Sequence, residues 1–340
     1  EALLERLNEV SASHRGDWEL ALLIGQVHLE RGDRNAASDV LKCITGTDTE
    51  RMEIAAALRL ARSLEVTARQ HLLTFEGHKS GVNAVCLSID GHHAMSGSLD
   101  GSLKLWEVES GSCLRTFEGH TLKINSVDLS SNGCFALSGS SDKSLKLWDI
   151  ERECCIFTFQ GHKSAVISVC FSTDGQFALS GSGDKTLKLW DITSSHCLRT
   201  FEGHTGGVTS VRLSSDGHYA LSGSYDNTLK LWEVESGRCL RTFRGNEDDV
   251  TSVCLSVDGH YALSGSEDRK LKLWEVESGR CLSTLQVHSE SEFFHITSVF
   301  MSADSRFALS GCTDGTLILW ELESGRGLRT FTGHGDIVTS

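Results

Sequence analysis

The chain has 340 residues, 39% of them hydrophobic and 23% charged, with 46 acidic against 32 basic residues and a formal net charge of -14. That balance excludes a protein whose task is to coat nucleic acid or an anionic membrane, because both need clustered lysine and arginine. The longest apolar runs, such as "ELALLIG" at residues 19–25, fall far short of the roughly 20 residues a bilayer-spanning helix needs, so no membrane insertion is expected.

In chain order, residues 1–68 come first. The stretch "WELALLIGQVHLERGDRNAASDVLKCI" has helical periodicity, and a Gly-Asp break separates two amphipathic halves. Ile24, Gly25, His28, Gly32, Ala37 and Leu41 fall on a spacing that resembles a tetratricopeptide helix pair, so a small α-helical, tetratricopeptide-like segment is expected at 1–68. A single such unit cannot bury its own apolar face.

From residue 69 to 340 a repeat takes over. Trp106, Trp148, Trp190, Trp232 and Trp274 stand 42 residues apart, and Trp320 follows after 46. A Gly-His series runs in step through His78, His120, His162 and His204, then Asn246, His288 and His334. Between these marks, "VTSVRLS" alternates apolar and polar residues, "YALSGS" follows the turn "SDGH", "TLKLWE" follows "YDN", and "CLRTF" follows "ESGR". Each repeat therefore reads as four strands, a to d, separated by turns.

A period near 42 with Gly-His and Trp-Asp marks resembles the WD-repeat family, whose unit is one four-stranded propeller blade. Only Trp148 and Trp190 are followed by Asp; the other four carry Glu. The resemblance implies a mainly β fold with six complete blades over residues 82–331. An extra strand d at 71–76 and the start of a strand a at 335–340 imply that they join in a closing blade. The expected fold is thus a seven-bladed WD-repeat β-propeller with its last blade incomplete, and the pattern calls for about 30 further residues to finish it.

Twelve cysteines form no C-x-x-C pair. Cys113, Cys155, Cys197, Cys239 and Cys281 recur 42 residues apart, which reads as one small buried hydrophobe per blade, reduced, in the cytoplasm or nucleus.

Every blade carries a histidine, a serine, an aspartate and the tryptophan at fixed spacing: His78, Ser96, Asp100 and Trp106; His120, Ser138, Asp142 and Trp148; His162, Ser180, Asp184 and Trp190; His204, Ser222, Asp226 and Trp232; Asn246, Ser264, Asp268 and Trp274; His288, Ser310, Asp314 and Trp320. Six copies of one hydrolase site are implausible, and a nucleophile needs a pocket and an oxyanion hole. A chain of hydrogen bonds from Asp through His and Ser to the indole satisfies four buried polar groups instead, and the resemblance implies this structural tetrad. No catalytic residue, cofactor or metal is expected. "SGSGDKT" reads as a hairpin turn, not a phosphate loop, because no helix follows it.

What breaks a repeat is where specificity can live. The resemblance implies a docking face built from the d–a loops and b–c turns, and most residues there are small and neutral. Blades 4 to 6 differ, with Tyr225, Glu247, Asp248, Asp249 and Glu267, and an insertion "VHSESEFFHI" that carries Phe293, Phe294 and His295; Lys123 is the basic residue of this face on blade 2. Two adjacent aromatics beside acids would suit an interface anchor; the alternative is that Phe293 begins strand a and Phe294 fills a gap in the blade. The expected function is a non-enzymatic scaffold or adaptor that binds other proteins or peptides. The alternative within binding proteins is a sensor or substrate-receptor module of a larger signalling or ubiquitin-ligase assembly, although the family's W-D-x-R ligase-docking motif is not met by "WDIER" or "WDITS".

Overall fold

The computed structural model describes residues 73–286, 294–334 and 337–339. These residues form six four-stranded antiparallel sheets. Blade 4 shows the pattern, with strands Val208–Leu213, Tyr219–Ser224, Thr228–Glu233 and Cys239–Arg244 paired in sequence order. The a–b turn closes on its own side chains: the Ser214 hydroxyl donates to Asp216 at 2.5 Å and accepts the Tyr219 N–H at 2.9 Å, while Gly217 takes a positive φ of 72°. Ser-x-Asp-Gly is therefore a complete turn instruction.

The six innermost strands are Val82–Leu87, Ile124–Leu129, Val166–Phe171, Val208–Leu213, Val250–Leu255 and Ile296–Met301. Neighbouring ones are stitched together by serine: the hydroxyls of Ser126, Ser168, Ser210 and Ser252 accept the N–H groups of Val169, Val211, Val253 and Val299 at 3.1–3.2 Å. Blade faces meet without a gap. A Cβ on Gly181 would come within 2.6 Å of Val208 Cγ1, so any side chain there would force blades 3 and 4 apart. Farther out, Trp148, Trp190, Trp232 and Trp274 each pack on the phenylalanine of the preceding outer strand, as in Phe201–Trp232 at 5.8 Å between centroids. At the rim, Arg115, Arg199 and Arg241 each donate to a carbonyl of the next blade's c–d turn.

Three expectations are corrected. The described residues form six complete blades, not seven. Residues 73–76 form no strand, although the Phe75 ring lies 5.7 Å from Trp106. Residues 337–339 also form none, although Val338 packs on Gly311 and the Thr339 hydroxyl donates to the Val82 carbonyl at 3.1 Å. An outer strand and an inner strand have no ladder without the two that belong between them, and the described residues supply neither. In keeping with this, Val85 and Leu87 of blade 1 are 48% and 66% exposed, whereas Val127, Val169 and Val211, at the register of Val85, are buried.

There is no helix among the described residues, and the tetratricopeptide-like segment at 1–68 lies outside them. None of the described residues forms a helix long and apolar enough to cross a membrane.

The recurring cysteines are exposed, not buried. They stand at the start of the outermost strand of blades 1 to 5, where no further strand covers them, and their thiols donate to the carbonyl two residues on, as Cys197 does to Arg199 at 3.4 Å. The buried thiols are Cys170, Cys254 and Cys312.

Candidate functional site

The tetrad residues come from four places in a blade: the d–a loop, strand b, the b–c turn and strand c. In blades 2, 3 and 4 they form an unbroken chain. His120, His162 and His204 place Nδ1 2.8, 2.9 and 2.7 Å from Asp142, Asp184 and Asp226. Their Nε2 atoms lie 2.7 Å from Ser138, Ser180 and Ser222, and each of those hydroxyls accepts the indole N–H of Trp148, Trp190 or Trp232 at 2.8 Å. The arrangement balances when Nδ1–H donates to the carboxylate and the serine O–H donates to Nε2. In blade 1 the serine contacts persist at 2.7 and 2.8 Å, but His78 Nδ1 is 3.4 Å from Asp100. In blade 6 the Trp320 N–H donates to Ser310 at 3.0 Å, and His288 lies outside the described residues.

Burial pushes the His120, His162 and His204 rings below their ordinary pKa, against the pull of the neighbouring aspartates. For the aspartates burial works the other way, but hydrogen bonds from Ser144, Thr186 and Thr228 and from the histidines outweigh it and hold Asp142, Asp184 and Asp226 at about 2. Neutral imidazole and ionised carboxylate are the stable pair. The serines are fully buried and bonded on both sides, so none is available as a nucleophile.

The supporting hydroxyls are a feature the tetrad reading missed. Ser102, Ser144, Thr186, Thr228 and Thr316 each donate to the aspartate two residues before them at 2.6–2.7 Å. The signal was present as a repeated D-x-[ST], and blade 5 alone among the six departs from it with Lys270.

Blade 5 therefore loses two members at once. Asn246 is 9% exposed; its Oδ1 accepts a long hydrogen bond of 3.5 Å from Ser264, and its buried Nδ2 has no partner. Asp268 keeps only the backbone bonds common to the other blades, accepting the N–H groups of Glu247 and Lys270, each at 3.0 Å. The Lys270 ammonium leaves the relay altogether and pairs with Glu247 at 2.6 Å on the surface.

The same loops build the expected docking face. Each b–c turn donates one N–H to the d–a loop beside it: Ser141 to Lys123, Tyr225 to Gly207, Glu267 to Asp249 and Thr313 to His295, at 2.9–3.1 Å. Tyr225 is 49% exposed, and its hydroxyl is raised by burial and then by the charges of Asp249 and Glu267. Asp248, Asp249 and Glu267 offer carboxylate oxygens that all lie within 4.8 Å of one another. Burial and the two neighbouring acids push Asp249 above the usual carboxylate range. Such a cluster favours a cation, whether a metal ion or a basic side chain. Lys123 is exposed on blade 2.

Phe294 requires a correction. It is 2% exposed and packs with Ile296, Val299 and Trp320 in the core of the sixth blade, so it serves as blade filling and not as a surface anchor. Phe293 lies outside the described residues, and His295 is half-buried.

Compared with known families, the chain matches the WD domain, G-beta repeat in six copies, at residues 69–107, 111–149, 153–191, 195–233, 237–275 and 279–321. A comparison with curated proteins finds no match.

Proposed function

The chain belongs to the WD40 repeat family, whose propellers are typically protein-interaction scaffolds and generally not enzymes, and we propose that this one docks a basic segment of a partner protein on the loop face of blades 4 to 6. The observation that carries the reading is the group of three carboxylates, Asp248, Asp249 and Glu267, held within 4.8 Å beside the exposed Tyr225 ring. Like charges this close repel, and a lysine or arginine side chain relieves that repulsion while the phenol offers it a π face. Glu247 lies beside the cluster and tunes orientation, and the half-buried His295 belongs to the same loop face on blade 6; Lys123 sits apart on blade 2, and Phe293 lies outside the described residues. The thiols exposed on five outer strands fit a reducing compartment, the cytoplasm or nucleus.

The test is binding of a lysine- and arginine-rich peptide, and capture of partners, by the full chain and by an Asp248→Lys, Asp249→Lys double variant. Loss of both with an unchanged melting temperature supports the reading; equal binding by the variant rejects it. Tyr225→Ala is expected to weaken binding by about 0.5–2 kcal/mol, the range of a cation–π contact.

A further inference from the structure

Each innermost strand carries one residue at a common register, in chain order Cys86, Asp128, Cys170, Arg212, Cys254 and Phe300. Asp128 shows what this register does. Its Oδ2 accepts the Phe171 N–H of the next blade at 2.8 Å, and its Oδ1 accepts the Leu129 N–H at 3.0 Å. Two residues earlier, the serine hydroxyls make the same kind of bridge to the valine N–H groups. Both layers aim acceptors at backbone donors around the central bore.

Arg212 breaks the second layer. A guanidinium has five donors and no acceptor, so it cannot serve the Leu255 N–H as Asp128 serves that of Phe171, the equivalent residue two blades earlier. Among the described residues Arg212 makes one hydrogen bond, from Nη1 to the Val211 carbonyl at 3.2 Å, and no ion pair. It is only half-buried. Its charge is felt by the equivalent groups on four other inner strands, Cys86, Asp128, Cys170 and Cys254.

We propose that Arg212 is a carboxylate-binding residue in the central bore, where the Nε–Nη2 edge left over by the Val211 bond donates to the ligand's oxygens. The planar fork matches a carboxylate in bidentate fashion. The chain's charge of -14 disfavours a dianion, which sets a monoanion ahead of phosphate or sulfate. The rest of the layer is thiol and phenyl, with Phe300 64% exposed, and suits an organic remainder. The carboxylate belongs either to a small aliphatic acid or to the C-terminus of a partner peptide, and the site is separate from the acidic loop face.

Calorimetric titration of the full chain with acetate and butyrate, at ionic strength fixed with chloride, is expected to give saturable binding. Arg212→Met should weaken it by about tenfold or more, the loss expected for a charge-assisted hydrogen bond. Arg212→Lys, which keeps the charge without the fork, should fall between, and it decides the matter if the methionine variant does not fold. Equal binding by wild type and the folded variant, or heats reproduced by chloride alone, would overturn the proposal. A short peptide with a free C-terminus that competes where its amidated form does not assigns the carboxylate to a chain terminus; competition by butyrate alone assigns it to a small acid.

Discussion

Blades 2 to 4 and blade 5 carry the same strands, turns and tryptophan, yet they treat one buried volume in opposite ways. In the former, imidazole spans Asp and Ser at 2.7–2.9 Å on both sides and a hydroxyl two residues on seals the carboxylate. In blade 5, Asn246 reaches one side only, and Lys270 turns outward to Glu247. The blade keeps its Trp274–Ser264 bond at 2.9 Å. The relay is therefore dispensable for forming a blade, and its loss frees the d–a loop to carry acids in place of a fixed histidine. Scaffold and surface trade residues at this point.

Four experiments would break or sharpen that contrast. The largest effect is expected where the blades agree: Trp232→Ala and Trp274→Ala should each cost about 3–5 kcal/mol in urea unfolding, because both indoles are fully buried. Next, His204→Ala should cost about 2–3 kcal/mol by removing one partner each from Ser222 and Asp226 and leaving the ring's volume empty, whereas Asn246→Ala should stay within about 1 kcal/mol because its amide nitrogen is already unpaired. Similar losses would mean that the two blades do not differ energetically. Asn246→His should raise stability by about 1 kcal/mol by pairing Asp268; no gain would show that the missing hydroxyl at Lys270 matters more than the ring.

The last contrast concerns pH. The folded-state pKa of His120, His162 and His204 is depressed below the ordinary 6.5, so their stabilisation is complete above 6.5 and is lost as the pH falls and the unfolded chain takes up protons first. Asp142, Asp184 and Asp226, at about 2 against an ordinary 3.8, add a second loss between those values. The melting temperature should fall in two stages on acidification, and Asn246→His should steepen the first. A flat profile between pH 7 and 5 would contradict the neutral-imidazole relay.

The blade pattern was legible because each strand and turn is written locally: alternation gives the strand, Ser-x-Asp-Gly closes the turn, and Trp marks the same buried slot six times. The tetrads were legible for the same reason. Blade number was not, because an isolated strand motif at 71–76 carries the same letters whether or not its neighbours exist, and pairing is a property of the set. Phe294 reads equally as an interface aromatic or as blade filling, because its depth depends on where strand a starts, at Ile296. The exposed cysteines misled for the converse reason, since a periodic position says only that an environment repeats, not that it is buried. Arg212 stood in a strand "VTSVRLS" where a charge at a bore-facing register was visible, but the ring that gives it meaning needs five other blades.

The bond from the Thr339 hydroxyl to the Val82 carbonyl joins residues 257 apart, whereas the side-chain links between successive inner strands span 41 to 47. Successive blades can thus dock as a zipper, each step closing a loop of about one repeat. The Thr339 link pays loop-closure entropy over the whole array. It belongs at the end of the folding order, and under native-state hydrogen exchange the Val82 edge should open before the inner strands of blades 3 and 4.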